Sequence, residues 1–395
     1  MRIAIEYTSA LRQVAGIGRY TRELVRALAE MQSGDEIVLV YAAGDLKENA
    51  ALDGLRRLQS LNPRVTAVPI PLSERWLTIL WQRARLPLPI EHWTGAIDVF
   101  HAPDFVLPPA RTSHTLVTVH DLSFRLHPEA AHDRLRRYLE SAVPRSLRRA
   151  ERVLVVSHST ARDLERLMHV PADKTKVLYH GIGAQFRRVE DAQLLGAVRA
   201  RYGLPPRFVL HVGTIEPRKN LLRLIAAFEE LRKQPDYRDL GLVLAGKPGW
   251  LVEPILERAR MTPGVVLTGA VADDDLPALY TLADVLAYPS LYEGFGFPPL
   301  EALACGTPAV TSNTSSLPEL VADVALMVDP QDTAALATAL KRALDDPAVA
   351  EAARTAGPKH AARFTWTETA RQLLEVYRSL VGGSRAARPA ALRGE

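Results

Sequence analysis

Short, unbroken runs of Val, Leu and Ile recur along the whole chain, and they restrict its fold more than any other feature. The first half carries IAI, EIVLVY, DVFHA, TLVTVH and RVLVVS, and the second carries FVLHVG, GLVLAG, GVVLTG, VLAYPS, PAVTS and ALMVD. Continuous rather than alternating apolar runs indicate strands buried on both faces, as in parallel sheets covered by helices. Helical patterns such as GRYTRELVRALAEM, DRLRRYLESAVPRSLRRA, NLLRLIAAFEELRK and TAALATALKRAL lie between them. That alternation is the α/β signature. The rhythm pauses once, between Tyr179 and Gly203, after the strand KVLYH and the segment HGIGAQF. At 395 residues the chain can build two cores. The expectation is two Rossmann-like, doubly wound domains facing a central cleft, over residues 1–185 and 186–365. An amphipathic closing helix over 366–380 packs back, and a Gly/Ala/Arg/Pro-rich tail, 381–395, is expected to be disordered.

Composition bounds the function loosely. With 47% hydrophobic and 24% charged residues and a net charge of +4, the chain lacks the clustered charge of a nucleic-acid binder. Its single cysteine, Cys305, permits no intrachain disulfide and fits a reducing cytoplasm. MRIAIEY reads as a first strand rather than a signal peptide. No uncharged apolar run approaches the roughly 18 residues of a membrane span. A cytoplasmic protein is expected, peripheral to a membrane at most.

Ligands of open α/β sheets bind beyond the carboxyl ends of the strands. The unusual polar residues gather there: His120-Asp121 after TLVTV, Gly213 and then Glu216 to Asn220 after FVLHV, Gly246-Lys247 after GLVLA. Arg218 and Lys219 just before a helix start suit an anion with several charges, such as a diphosphate. The segment SLYEGFGFPPLEALACGTPAV, from Ser290 to Val310, sets Glu293 before a Gly294-Phe295-Gly296 turn. Glu301 falls in the first turns of a helix opened by Pro298 and Pro299 and closed by Gly306. The two carboxylates reach one small volume from different backbone elements, and the glycines let main-chain N–H groups approach a ligand. His101 ends another strand but lacks such support.

Three segments read less directly. AGIGRYT has the outline of a dinucleotide loop, but Thr21 replaces the third glycine and no strand immediately precedes it, which argues against NAD. Gly16 and Gly18 can still border a phosphate or an acceptor. Asp273 and Asp275 have the spacing of a metal-binding pair but precede a helix, where capping explains them better. The window 72–93 mixes Trp76, Trp81 and Trp93 with Arg75, Arg83 and Arg85, and reads as an interfacial patch, an acceptor wall or a half-buried helix.

EGFGFPPLEA followed by ACGTPAVTSNTSSLPEL resembles the donor-binding signature of the large retaining glycosyltransferase family 4, whose members have the GT-B fold. VGTIEPRKNL, VTVHDLSF, HGIGAQF and FTWTETARQLLEVYRSL match further pieces in the same order, over nearly the whole chain. The resemblance is thinnest from Lys47 to Trp93. It implies that Arg218 and Lys219 bind the diphosphate of a nucleotide sugar, that Glu293 touches the donor sugar, and that Glu301 holds the ribose. Phe295, Gly296 and Phe297 would present main-chain N–H groups, and His120 would sit at the reacting face. Gly16 and Gly18 would border the diphosphate or acceptor, with Gly213 and Lys247 also on the donor side. The family implies retention by front-face displacement, with no covalent residue, metal or cofactor expected. The motifs are most similar to those of bacterial mannosyltransferases that use GDP-mannose in polysaccharide or O-antigen assembly. UDP-hexose and GDP-rhamnose donors stay open. So do two other classes, a nucleotide-sugar epimerase and a non-catalytic nucleotide-sugar binder. The implied acceptor is a glycan or lipid-linked glycan at the inner membrane face.

Overall fold

The structure, a computed structural model, describes residues 1–13, 16–47 and 50–386. Two parallel sheets carry it. The first contains β1 (Arg2–Glu6), β2 (Glu36–Ala42), β3 (Val65–Ile70), β4 (Val99–Ala102), β5 (Thr115–Val119), β6 (Arg152–Val155) and β7 (Thr175–Val177) in the order 3-2-1-4-5-6-7. The second contains β8 (Phe208–Val212), β9 (Gly241–Ala245), β10 (Val265–Gly269), β11 (Val285–Tyr288), β12 (Ala309–Ser312) and β13 (Leu326–Val328) in the order 10-9-8-11-12-13. Strand order reverses between β1 and β4 and again between β8 and β11, and these switch points open a crevice at the carboxyl edge of each sheet.

The unbroken apolar runs became strands with helices on both faces. Ile3 and Ile5 face one core of the first domain, Ala4 and Phe100 the other; Leu242 and Val243 divide the second domain in the same way. β3 escaped the pattern because it is an edge strand with a half-exposed centre, where Pro69 is tolerated. Between the sheets, Asp191 caps the helix Ala192–Tyr202, which Gly203 ends in the left-handed conformation.

The C-terminal helix, Trp366–Ala386, returns to the first domain, where Trp366, Leu373 and Tyr377 share a core with Ile5, Leu24 and Leu28. It runs past the boundary expected at 380 because Val381 continues the same apolar stripe, so residues 381–386 are helical rather than a disordered tail. The remainder of that expected tail, 387–395, lies outside the described residues. His101 belongs to this core as well, with Nδ1 2.7 Å from Tyr377 Oη and Nε2 2.8 Å from Thr118 Oγ1, and serves packing rather than the cleft.

Polar contacts hold the domains face to face. The Glu319 carboxylate accepts from the amides of His158 and Ser159, at the start of the helix His158–Met168, and from the Tyr179 hydroxyl. Tyr292 Oη donates to Asp163 Oδ2 at 2.8 Å, and the Trp250 indole donates to the Ala130 carbonyl.

Candidate active site

A cavity of about 760 Å³ lies between the domains. It is lined by His120, Gly16, Gly213, Arg218, Lys219, Lys247, Glu293, Phe295, Gly296, Phe297 and Glu301, so nearly every residue expected at the site meets there. Gly18 does not line it. Its position faces the first domain, where a Cβ would lie 2.1 Å from the Gln13 carbonyl oxygen, and it lets the first long helix pack against its own entry loop.

The cavity floor is a charge cluster. Lys219 Nζ donates to Glu293 Oε1 at 2.6 Å and to Tyr288 Oη at 2.7 Å. Arg218 lies 2.9 Å from Glu293 Oε2, 2.6 Å from Glu216 Oε1, and donates to the Tyr292 carbonyl. A buried charge must be paired or neutralised, and here two cations meet two carboxylates. Burial pushes the Glu293 carboxyl up, but Arg218 and Lys219 outweigh it and hold it at about 2. Burial also lowers Lys219, with Glu293 opposing, while Arg218 is raised because its carboxylates exceed its loss of solvation. The cations leave the short turn Pro217–Lys219, and Asn220, left-handed at φ 60°, redirects the chain into the helix Leu221–Arg232.

The Gly294-Phe295-Gly296 turn brings the two domains into close approach. A Cβ on Gly294 would lie 1.9 Å from the carbonyl oxygen of His120, so the turn seats directly on the end of β5. Gly296 has φ 127°, closed to most side chains, and opens the helix Phe297–Ala304 that carries Glu301. The rings of Phe295 and Phe297 pack on His180, the latter stacked at 5.2 Å, which ties this main chain to the end of the first domain.

His120 is buried, and its Nε2 lies 2.8 Å from the Pro103 carbonyl oxygen, which fixes Nε2 as the donor and Nδ1 as the acceptor. Burial drives its pKa down to about 4 against the pull of that carbonyl and of Asp121, so the ring is neutral at pH 7.

Glu301 is gripped from both domains. Tyr280 Oη donates to Oε2 at 2.7 Å, and Arg19 of the first domain lies 2.6 Å from Oε1. Neither Arg19 nor Tyr280 stands out in the sequence, although Arg19 adjoins the glycine loop that does.

Two expectations change. Asp275 occupies the N-cap position of the helix Leu276–Leu282 but its side chain makes no capping bond: it is buried against Arg201 at 2.6 Å and accepts from Tyr202 Oη at 2.7 Å, while Asp273 is exposed on the cavity wall. The window 72–93 divides. Trp81 donates to the Leu88 carbonyl and meets Trp93 edge to face, whereas Trp76 is 57% exposed. Among the described residues no group of three or more His, Cys, Asp or Glu could hold a metal ion, and no helix is long and apolar enough to cross a membrane.

Comparison with known proteins supplies a family. Residues 14–186 match the model described as Glycosyltransferase Family 4, and residues 199–360 match Glycosyl transferases group 1. The chain is 32% identical over 375 residues to O-antigen chain mannosyltransferase B of Escherichia coli, covering 93% of this chain and 97% of that relative. It is 33% identical over 243 residues to the serotype-specific mannosyltransferase WbdA of Escherichia coli, which takes in 60% of this chain and 30% of that relative. Among solved structures it is similar to sucrose-phosphate synthase from Thermosynechococcus elongatus, with TM-score 0.73, 23% identity, and 97% and 100% of the two chains covered. Anabaena HepE in complex with UDP and glucose gives 0.74 at 20% identity, covering 96% and 100%. These likenesses establish the GT-B fold.

Proposed function

Because the chain belongs to the glycosyltransferases of family 4 and group 1, we propose that it is a retaining mannosyltransferase that moves mannose from GDP-mannose onto a glycan or lipid-linked glycan acceptor in bacterial cell-surface polysaccharide assembly. The observation that carries this reading is the buried Arg218–Lys219–Glu293 cluster facing His120 across the cleft. The diphosphate meets Arg218 and Lys219. As the bond between the sugar's anomeric carbon and the diphosphate breaks, negative charge grows on the departing phosphate oxygen. Fixed cations at that oxygen stabilise the transition state more than the ground state. The acceptor oxygen attacks the same face and its proton passes to the departing diphosphate, so no protein nucleophile is required. Glu293 holds the cations in place and meets the donor sugar, while neutral His120 accepts from a sugar hydroxyl through Nδ1. Glu301 takes the ribose hydroxyls. The closed cleft limits hydrolysis of the donor.

Asp273 favours guanine. It is exposed on the wall of the cavity that Glu301, Val271 and Leu276 also line. Guanine offers two adjacent N–H donors, on N1 and the 2-amino group, that a carboxylate accepts in bidentate fashion, and uracil has no such pair. Thermal-shift titration with GDP-, UDP- and ADP-sugars tests the donor: GDP-mannose should stabilise the chain most, and Asp273→Asn should erase the preference for GDP over UDP. Equal shifts with UDP-glucose would favour a UDP-hexose donor instead. Release of free GDP without acceptor would point away from transfer.

The proposed site of action is the cytoplasmic face of the membrane. Exposed Trp76 and Leu86 stand among Arg75, Arg83 and Arg85, a combination suited to contact with anionic lipid. Trp76→Ser should reduce co-sedimentation with anionic vesicles; unchanged binding would remove that part of the reading.

A further inference from the structure

Glu301 is buried to 1% exposure, and a carboxylate so enclosed needs a cation. Tyr280 supplies a neutral hydroxyl. The cation that meets Glu301 among the described residues comes from the opposite domain: Arg19, on the helix Ile17–Glu30. Its guanidinium is itself held between two rings, 5.2 Å from the centroid of Phe186 and 5.1 Å from that of Phe297. Phe297 opens the helix that bears Glu301. Arg19 is therefore fixed by aromatic packing, and Glu301 by its burial and the Tyr280 hydroxyl, rather than by flexible surface contacts.

The geometry leaves capacity on the carboxylate. Each oxygen offers two acceptor positions. Oε2 uses one on Tyr280. Oε1 is ion-paired with Arg19 at 2.6 Å, yet it accepts no aligned hydrogen bond. One free acceptor position on Oε2 and unfilled capacity on Oε1 match two neighbouring hydroxyls of a ribose.

We propose that Arg19 is a positioning residue: by gripping Glu301 across the cleft it keeps the carboxylate aimed at the ribose, so that recognition of the ribose hydroxyls depends on the domains being closed. The proposal rests on the reading that Glu301 meets the ribose. An open cleft leaves Glu301 without its cation. A nucleotide lacking ribose hydroxyls gains nothing from the grip, whereas a ribonucleotide gains only when Arg19 is in place.

The test compares GDP with 2′,3′-dideoxy-GDP by calorimetric titration of the full chain, for wild type, Arg19→Met, Arg19→Lys and Glu301→Gln. Wild type should bind GDP more tightly by about 10-fold or more, the loss expected when hydrogen bonds to a charged group are removed. Arg19→Met should bring GDP down to the dideoxy level without altering dideoxy binding, and Arg19→Lys should restore part of the difference. The double variant Arg19→Met/Glu301→Gln should be no worse than either single variant. If Arg19→Met weakens both nucleotides equally, or strengthens GDP binding, the positioning role is overturned; the latter result would make Arg19 a plug that the ribose displaces. If wild type does not distinguish the two nucleotides, the ribose assignment of Glu301 fails and the proposal with it. Should UDP be the better ligand in the thermal-shift panel, the same comparison with UDP and its dideoxy form tests Arg19 independently of the base.

Discussion

Glu293 sits between Arg218 and Lys219 at ion-pair distance from both, which gives it a structural role beside the sugar contact proposed for it. With Glu216 it balances the two cations of the cleft floor. Glu293→Gln removes one negative charge and leaves a buried positive excess, which costs stability by about 3–5 kcal/mol when a buried pair is broken. An added nucleoside diphosphate replaces the missing charge. The variant should therefore melt below wild type alone, gain more than wild type from added GDP, and turn over about 10²-fold more slowly or worse, because its cations are no longer held in register. Differential scanning fluorimetry with and without GDP, beside a transfer assay, checks all three. A variant that binds GDP more weakly than wild type would show that Glu293 itself contacts the nucleotide. Arg218→Ala should abolish transfer outright, and normal turnover in that variant would displace the site assignment.

The turn at Gly294 ties element geometry to function, since a Cβ there would meet the His120 carbonyl at 1.9 Å. Gly294→Ala forces the turn off the end of β5 and spreads the cleft. Turnover should fall by roughly 10²-fold, the scale of a misplacement of about 1 Å near reacting groups, with a small change in melting temperature. Retained turnover would mean that the closed arrangement is not the reacting one. Elements differed in how far the sequence revealed them. The continuous apolar strands were readable because parallel sheets demand burial on both faces; β3 was not, because an edge strand escapes that demand. Arg218, Lys219, Glu293 and Glu301 were readable because strand ends and a glycine turn concentrate them in two short segments. Arg19, Tyr280 and Tyr288 were not, since each gains its meaning from a partner supplied by tertiary contact. Gly18, expected at the cleft, stands outside the cavity lining, because what makes a glycine necessary there is local: a Cβ would meet the Gln13 and Ser9 carbonyl oxygens.

For the whole molecule, buried titratable groups set a pH window. Burial lowers His101 to about 3 and His120 and His211 to about 4, and it lowers His180 well below its ordinary value. Once unfolded, all four bind protons below about 6.5 while the folded chain stays neutral there. Their contribution is thus complete above that pH and is lost as pH falls toward 4. Glu6 and Asp104 oppose it: burial raises them to about 7 and about 6, so the folded chain binds their protons first. Four histidines against two carboxyls leave the unfolded state with the larger uptake between pH 4 and 6.5. Stability should fall on acidification by about 1.4 kcal/mol per pH unit for each net proton. Urea midpoints at pH 7 and pH 5 measure this, and equal midpoints would contradict it. The interdomain contacts through Glu319, Tyr292 and Trp250 make closure a property of the whole chain, so Glu319→Gln should raise the KM for donor more than it lowers kcat. The most direct measurement mixes the purified chain with GDP-mannose and a lipid-linked glycan acceptor and follows both GDP and the glycan by mass spectrometry. The account predicts one GDP released for each hexose gained, an α-linked product from the α-configured donor, and no transfer by Arg218→Ala; GDP release without hexose gain, or an inverted linkage, would contradict it.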